Sequence, residues 1–316
     1  MRHKVLGAAL ALVLAGCAAT GDGVRTAWPG VPADRVERIR ALGPVIDAAS
    51  FAIYADMVDA PPYDDVTVTA NVAFGPDPLQ KLDVYTLNAA PAGERRPVLL
   101  FVHGGGFVGG SKAGNGYYPQ NVTAWAARNG YVGVNMDYRL APAAKWPAGR
   151  DDIAAAIAWV RANIAQHGGD PDTVVLWGHS AGASHVADYV SHTGLQRAEA
   201  ASVKGAILLS PAYPPPPGNV THPYYGDDRS LQEQSLAIDR LGATRVPLLL
   251  AYAQHDPQPY VDFARAVESE LCTAWSRRNC PRMVYLPDHN HLSEGASVGS
   301  VDESLSGPVL QWLRGL

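Results

Sequence analysis

Cysteine is scarce. Three occur in 316 residues, with no CxxC and no Cys/His ligand spacing, which argues against a structural zinc site. Long apolar runs are missing too. The uncharged run near the start, Val5 to Ala15, holds 11 residues, whereas a spanning helix needs about 20. Basic residues are not clustered, and 25 Lys and Arg against 30 Asp and Glu leave a net charge of −5. Nucleic acid is therefore not an expected partner, since phosphate binding needs a concentrated basic face. Charged residues make up only 17% against 47% hydrophobic, which excludes intrinsic disorder. No segment repeats at a 20–50-residue period, which excludes a solenoid. What remains is an ordinary globular composition with 31 Gly and 25 Pro, hence many turns. The length suits one large α/β domain.

The first residues read as an address. Arg2, His3 and Lys4 form a basic head, the short apolar run follows, and Leu14-Ala15-Gly16-Cys17 ends it. This is a secretory signal by its dimensions. Its end resembles a bacterial lipobox over residues 1–17, in which Cys17 is lipidated; an ordinary signal peptide is the alternative. Acyl chains contribute about 0.8 kcal/mol per buried methylene, so several would hold the chain on a bilayer. Ala18, rather than Asp, follows the cysteine. By the same resemblance, that favours the outer membrane of a Gram-negative cell envelope. With Cys17 set aside, Cys272 and Cys280 form an even pair across a short loop. An exported protein can join them as a disulfide worth about 2–3 kcal/mol; two free thiols are the alternative.

Residues 18–30 are small and polar, as a tether would be. Residues 31–64 carry helical spacing at Val36, Ile39, Leu42 and Ile46, broken by Pro44; they either cover a site or pack on the domain. Residues 65–74 and 81–87 alternate at period two around a Gly-Pro-Asp-Pro break, which predicts an antiparallel hairpin. Continuous apolar runs at 97–103 and 131–138 predict strands buried on both faces. Further strands are expected at 173–179, 204–210, 245–253 and 282–287, with helices at 151–168, 181–192, 259–275 and 304–316. Alternating strands and helices imply a mostly parallel sheet covered on both sides. Residues 211–244, with a four-proline run, break the rhythm and suggest a lid or a passive surface loop.

Gly178-His179-Ser180-Ala181-Gly182 is a G-x-S-x-G set between a β-type run and a helical run. Three fixed positions recur by chance in roughly one chain in ten of this length, so the strand–turn–helix context carries the weight. A sharp turn there needs glycine on both sides and lifts the serine hydroxyl beside a helix N-terminus. His103-Gly104-Gly105-Gly106-Phe107 closes the first buried strand. Glycines there let backbone amides approach a ligand. Gly105 and Gly106, with the amide of Ala181, are the candidate oxyanion donors. Gly104, Gly106 and Gly109 also satisfy the dinucleotide pattern G-x-G-x-x-G. That reading needs an acid about 20 residues on, where Arg128, Asn129 and Gly130 stand.

A serine hydroxyl needs a base oriented by an acid. In a strand–elbow–helix architecture these follow in the order Ser, acid, His. Asp256, at the end of the strand ending AYAQH, is the candidate acid; Asp262 is the runner-up, set within a helical pattern. Asp-His-Asn-His (288–291) offers the base. His291, just before Leu292, is favoured, with His289 as the alternative. His103, His179 and His185 are expected to shape the pocket or the elbow.

Taken together, VLLFVHGGGF, the DYRLAP–WPAGRDD stretch, HGGDPDTVVLWGHSAG and AYAQHDP resemble the α/β-hydrolase fold over 65–316. More narrowly, they are similar to the carboxylesterases of the hormone-sensitive-lipase-like and feruloyl-esterase-like group. His179 stands where many of the former carry Asp, which shifts the resemblance towards the feruloyl-esterase and arylformamidase side. The resemblance implies a doubly wound sheet with an antiparallel start. It implies a serine esterase for short-chain or aryl carboxylic esters, acting through an acyl-enzyme with no metal or organic cofactor. An amide hydrolase on the same triad, or a non-catalytic binding module, are the alternatives.

Overall fold

Strands buried on both faces must find helices on both sides, and the alternation of side chains along them decides which helix meets which residue. The computed structural model describes residues 28–90, 93–192, 202–212, 222–227, 238–273 and 279–316. The leader with Cys17 and most of the expected lid at 211–244 lie outside these. One sheet of eight strands runs β1-β2-β4-β3-β5-β6-β7-β8. The strands are β1 (Val66–Ala73), β2 (Lys81–Leu87), β3 (Arg96–Val102), β4 (Val132–Met136), β5 (Gly169–His179), β6 (Val203–Leu209), β7 (Leu248–His255) and β8 (Arg282–Asn290). β1 pairs antiparallel with β2, and β2 antiparallel with β4. The remaining pairings are parallel.

Along β3, Val98, Leu100 and Val102 face one layer, and Leu99 and Phe101 the other. The first layer holds α3 (Ala148–Asn163), α4 (Ala181–Ser191) and a helix that begins next to Asp256, Gln258–Leu271. The second holds α2 (Gln120–Arg128), the closing helix Ser306–Leu313 and α1 (Ala33–Leu42). Trp177 on β5 is fully buried there, edge-on to Phe101 and Trp125.

Several boundaries differ from the sequence expectation. β5 starts at Gly169 rather than at 173, because the glycine pairs with Arg96 across a register irregularity. β8 runs on to Asn290, which pairs with His255 beyond a second irregularity. The expected tether ends early: Trp28 packs against Gly307, and the Glu303 amide donates to the Pro29 carbonyl. Within 211–244, Ile238–Ala243 is helical and His222 bridges Gly226. Cys272 and Cys280 are joined as a disulfide between the helix Gln258–Leu271 and β8.

Residues 31–64 cover the carboxyl ends of the strands. α1 stops at Leu42, ahead of Pro44. A 3₁₀ turn, Ala48–Ile53, follows. It is tied down by the Tyr117 hydroxyl donating to the Phe51 carbonyl (2.6 Å) and by Asn290 Nδ2 donating to Ser50 Oγ (3.0 Å). The Tyr54 hydroxyl donates to Asp302 Oδ2 (2.6 Å).

Leu100 sits at the centre of this packing and is fully buried. Leu100→Ala is expected to cost about 2–5 kcal/mol in urea unfolding; a loss below about 1 kcal/mol would show that the layer collapses onto the gap.

Candidate active site

The serine sits where β5 turns into α4, with φ 56° and ψ −124°. Such backbone costs of order 1–3 kcal/mol for a residue with a Cβ. It is held there by three backbone bonds: Ser180 N–H to Leu209 O (2.9 Å), and Ser184 and Ala212 N–H to Ser180 O (3.1 Å each). Two glycines make the turn possible. A Cβ on Gly178 would lie 2.4 Å from the Gly182 carbonyl oxygen, and one on Gly182 would lie 2.1 Å from that of Val102. Ser180 is almost fully buried yet lines a cleft of about 670 Å³.

Gly104, Gly105 and Gly106 line the same cleft. Gly105 and Gly106 take φ of 128° and 61°, open to glycine and strained for other residues. The Val108 and Gly109 amides fold back onto the Gly105 carbonyl. Ala181, the third expected donor, is the first residue of α4 and is buried beside Ser180. An amide there has no partner inside its helix.

His291 follows β8, and its Nδ1 lies 2.7 Å from Asp256 Oδ1. Asp256 comes off the end of β7. Its Oδ2 accepts from Ser210 Oγ and from the Ala253 amide, 2.7 Å each. A carboxylate so bound can only accept, so the proton of a neutral His291 sits on Nδ1 and Nε2 is left as an acceptor. Among the described residues Nε2 has no hydrogen-bond partner, and His291 lines the cleft with Ser180.

His289 lies elsewhere. β8 carries it into the interior, fully buried, where Nε2 meets Ser304 Oγ (2.8 Å) and Asp302 Oδ2 (3.1 Å). Burial would raise the Asp302 carboxyl, but hydrogen bonds from His289, Tyr54 and Ser304 bring it down to about 2. His289 is thus taken up in a structural pair and does not line the cleft. Asp262 lies on the helix Gln258–Leu271, exposed and accepting from Gln258, so it too is apart from the site.

Sequence reasoning placed His179 at the pocket or the elbow, where it lines the cleft, and missed two further neighbours, Glu294 and Tyr260. His179 Nε2 meets the His291 carbonyl oxygen (2.9 Å), which can only accept, so His179 carries its proton on Nε2 and takes the Tyr118 hydroxyl at Nδ1. Burial, with His291 beside it, pushes the His179 imidazole well below its ordinary value. Glu294 is fully buried, with its Oε1 3.5 Å from His179 Nε2. Burial first, then the Asp256 charge, push it well above the usual carboxylate range. Tyr260 lines the cleft, its ring 4.5 Å from that of His291. Neither Glu294 nor Tyr260 carries a local sequence pattern that could have found it.

His179, His291 and Glu294 each bring a ligand atom within 4.8 Å of the others. Both nitrogens of His179 and Nδ1 of His291 already have partners, so this set does not offer three free donors to a metal.

Solved structures titled as esterases share this arrangement of strands and helices. A "Bacterial Heroin Esterase" superposes at TM-score 0.63 with 19% identity, covering 89% of this chain and 96% of that one. A fungal esterase of Rhizomucor miehei gives 0.62 and 20%, covering 91% and 98%. The fold is that of the α/β-hydrolases. The BD-FAE family model matches residues 82–204 of this chain. Mycobacterium tuberculosis "Esterase LipC" is 43% identical over 111 residues, 35% of this chain and 27% of that protein. "Tuliposide A-converting enzyme b1, amyloplastic" of Tulipa gesneriana is 33% identical over 151 residues, 45% and 35%. The chain thus spans about a third or less of the length of these curated relatives.

Glu294 gives a pH signature. Below the pKa of an unfolded glutamate, both folded and unfolded chains carry its proton. Above that value only the unfolded chain ionises, so stability drains away as pH rises through the raised folded value. Glu294→Gln removes this slope. Thermal melts of wild type and variant are expected to diverge between pH 5 and 8, the variant gaining by up to about 1.4 kcal/mol per pH unit. Parallel curves would mean that Glu294 is ionised in the folded protein.

Proposed function

We propose that the protein is a serine carboxylesterase acting on short-chain or aryl carboxylic esters. Ser180 Oγ attacks the ester carbonyl while His291 Nε2 takes its proton, with Asp256 holding the imidazole in the required tautomer. The amides of Gly105, Gly106 and Ala181 receive the charge that grows on the carbonyl oxygen. The protonated His291 then returns its proton to the departing alcohol oxygen. Water, activated by the same imidazole, splits the acyl-enzyme and regenerates Ser180. The observation that carries this reading is the open Nε2 of His291, oriented by Asp256, in one cleft with Ser180 and the glycine loop.

The cleft supports the substrate class. Ile46, Phe51, Tyr118, Tyr260 and Leu292 supply apolar wall. Among the described lining residues none is Asp, Glu, Lys or Arg, so an uncharged ester fits. Esterase names among the relatives point the same way.

p-Nitrophenyl acetate and butyrate are expected to be turned over, and Ser180→Ala to lose roughly 10³-fold or more in kcat. Unchanged turnover in that variant, or failure of a fluorophosphonate probe to label Ser180, would end this reading.

We also infer that Cys17 carries lipid and holds the enzyme on the cell envelope, through the leader and Leu14-Ala15-Gly16-Cys17. Metabolic labelling with a fatty-acid probe should mark the wild-type protein and not Cys17→Ala; equal labelling of the two would exclude that anchor.

A further inference from the structure

Tyr260 is a polar group of the cleft that the triad does not use. Tyr260 is the third residue of the helix Gln258–Leu271, four residues beyond Asp256, and partly buried. The Ser180 side chain lowers its phenol against the effect of burial, so the hydroxyl faces the nucleophile. Its ring lies 4.5 Å from the His291 ring, tilted by 59°. On its other side it packs against the cluster of Phe107, Ala181, Ala212, Tyr224 and Tyr225. The ring is therefore clamped by neighbours while its hydroxyl reaches the nucleophile.

Where that hydroxyl stands decides what it can do. The glycine loop meets Ser180 at its Cβ: a Cβ built on Gly104 would lie 3.0 Å from it. Tyr260 shares the cleft with Ser180 and packs its ring on the His291 imidazole. Of the two oxygens of a bound ester, the alcohol oxygen must come within reach of His291, because it collects its proton there. A hydroxyl packed on that imidazole shares the volume the alcohol oxygen occupies.

We propose that Tyr260 is a further catalytic residue, whose hydroxyl hydrogen-bonds the alcohol oxygen as the bond from the acyl carbon to that oxygen breaks. The proposal rests on the esterase reading above. Electrons of the breaking C–O bond move onto the alcohol oxygen, which takes its proton from His291 Nε2. Tyr260 keeps its own proton and only shares it in a hydrogen bond while the charge is greatest. Burial raises the phenol above its ordinary value, partly offset by the Ser180 contact, so it remains a donor across the working pH range. Before substrate arrives the same hydroxyl faces Ser180, and attack on the ester frees it.

A donor to the leaving oxygen matters most when that oxygen is basic. The test is Tyr260→Phe on butyrate esters whose alcohols run from p-nitrophenol through phenol to ethanol. Active serines are counted by fluorophosphonate titration, so misfolded molecules drop out of every rate. Wild type over variant is expected to be within about 3-fold for p-nitrophenyl butyrate. It should exceed about 30-fold for ethyl butyrate, within the range for loss of one donor to developing charge. A ratio that stays flat along the series, whether near one or large, would overturn the proposal, since packing and orientation do not sense the alcohol. Wild type that turns over none of the esters would instead sink the esterase reading itself.

Discussion

The active end of the sheet depends on how closely α4 approaches the strands beneath it. Gly182 lies against the Val102 carbonyl, and Gly178 against the backbone of Gly182 and Ala183. A single methyl group at either place would push helix and strand apart. Because they touch, β5 can turn into α4 within one residue, and that residue takes the left-handed backbone of Ser180. The helix N-terminus is brought beside the serine by the same contact, which aligns amides with the oxygen they are to stabilise. The strain at Ser180 is borne by three backbone bonds and by the sheet itself, an arrangement expected where a side chain must be presented rather than packed.

Around this turn the polar groups are arranged so that each fixes the next. Asp256 accepts three hydrogen bonds, which leaves it nothing to do but hold His291. His179, one residue from the nucleophile, donates to the His291 backbone, so serine turn and histidine loop are tied directly. A second buried set, His289, Asp302 and Tyr54, ties the loop to residues 31–64. The segment that supplies Ile46 and Phe51 to the cleft wall is thus anchored to the loop that supplies the base. Cleft wall and the His291 imidazole are positioned as one unit. Buried polar networks of this kind are costly unless fully paired, and Glu294 shows the consequence: burial and the Asp256 charge push its carboxyl well above the ordinary range.

Much of this was legible in the chain. Continuous apolar runs marked β3 and β4 because only strands covered on both faces need them, and the period-two alternation marked the β1–β2 hairpin. Ser180 and the glycine loop were legible because their backbone demands glycine at fixed offsets. The choice between His289 and His291 was not, since both stand in one short polar stretch. It turned on β8 continuing three residues past its apolar run, to Asn290, which carries His289 inside. The role of residues 31–64 was equally open, because a helical period says which face is buried and not what it is buried against. Tyr260 and Glu294 gave no signal, as a lone tyrosine or glutamate has no local pattern.

Local chemistry in the sequence determined the strand and helix order, the nucleophile turn and the candidate acid, because backbone conformation and burial of a segment depend on its own residues. Tertiary structure alone decided which imidazole meets Asp256, which carboxyl is pushed up and which side chains close the cleft. Those outcomes depend on distances between segments up to about 250 residues apart, such as Tyr54 and Asp302, and on the loss of water around them, which no short stretch of chain encodes.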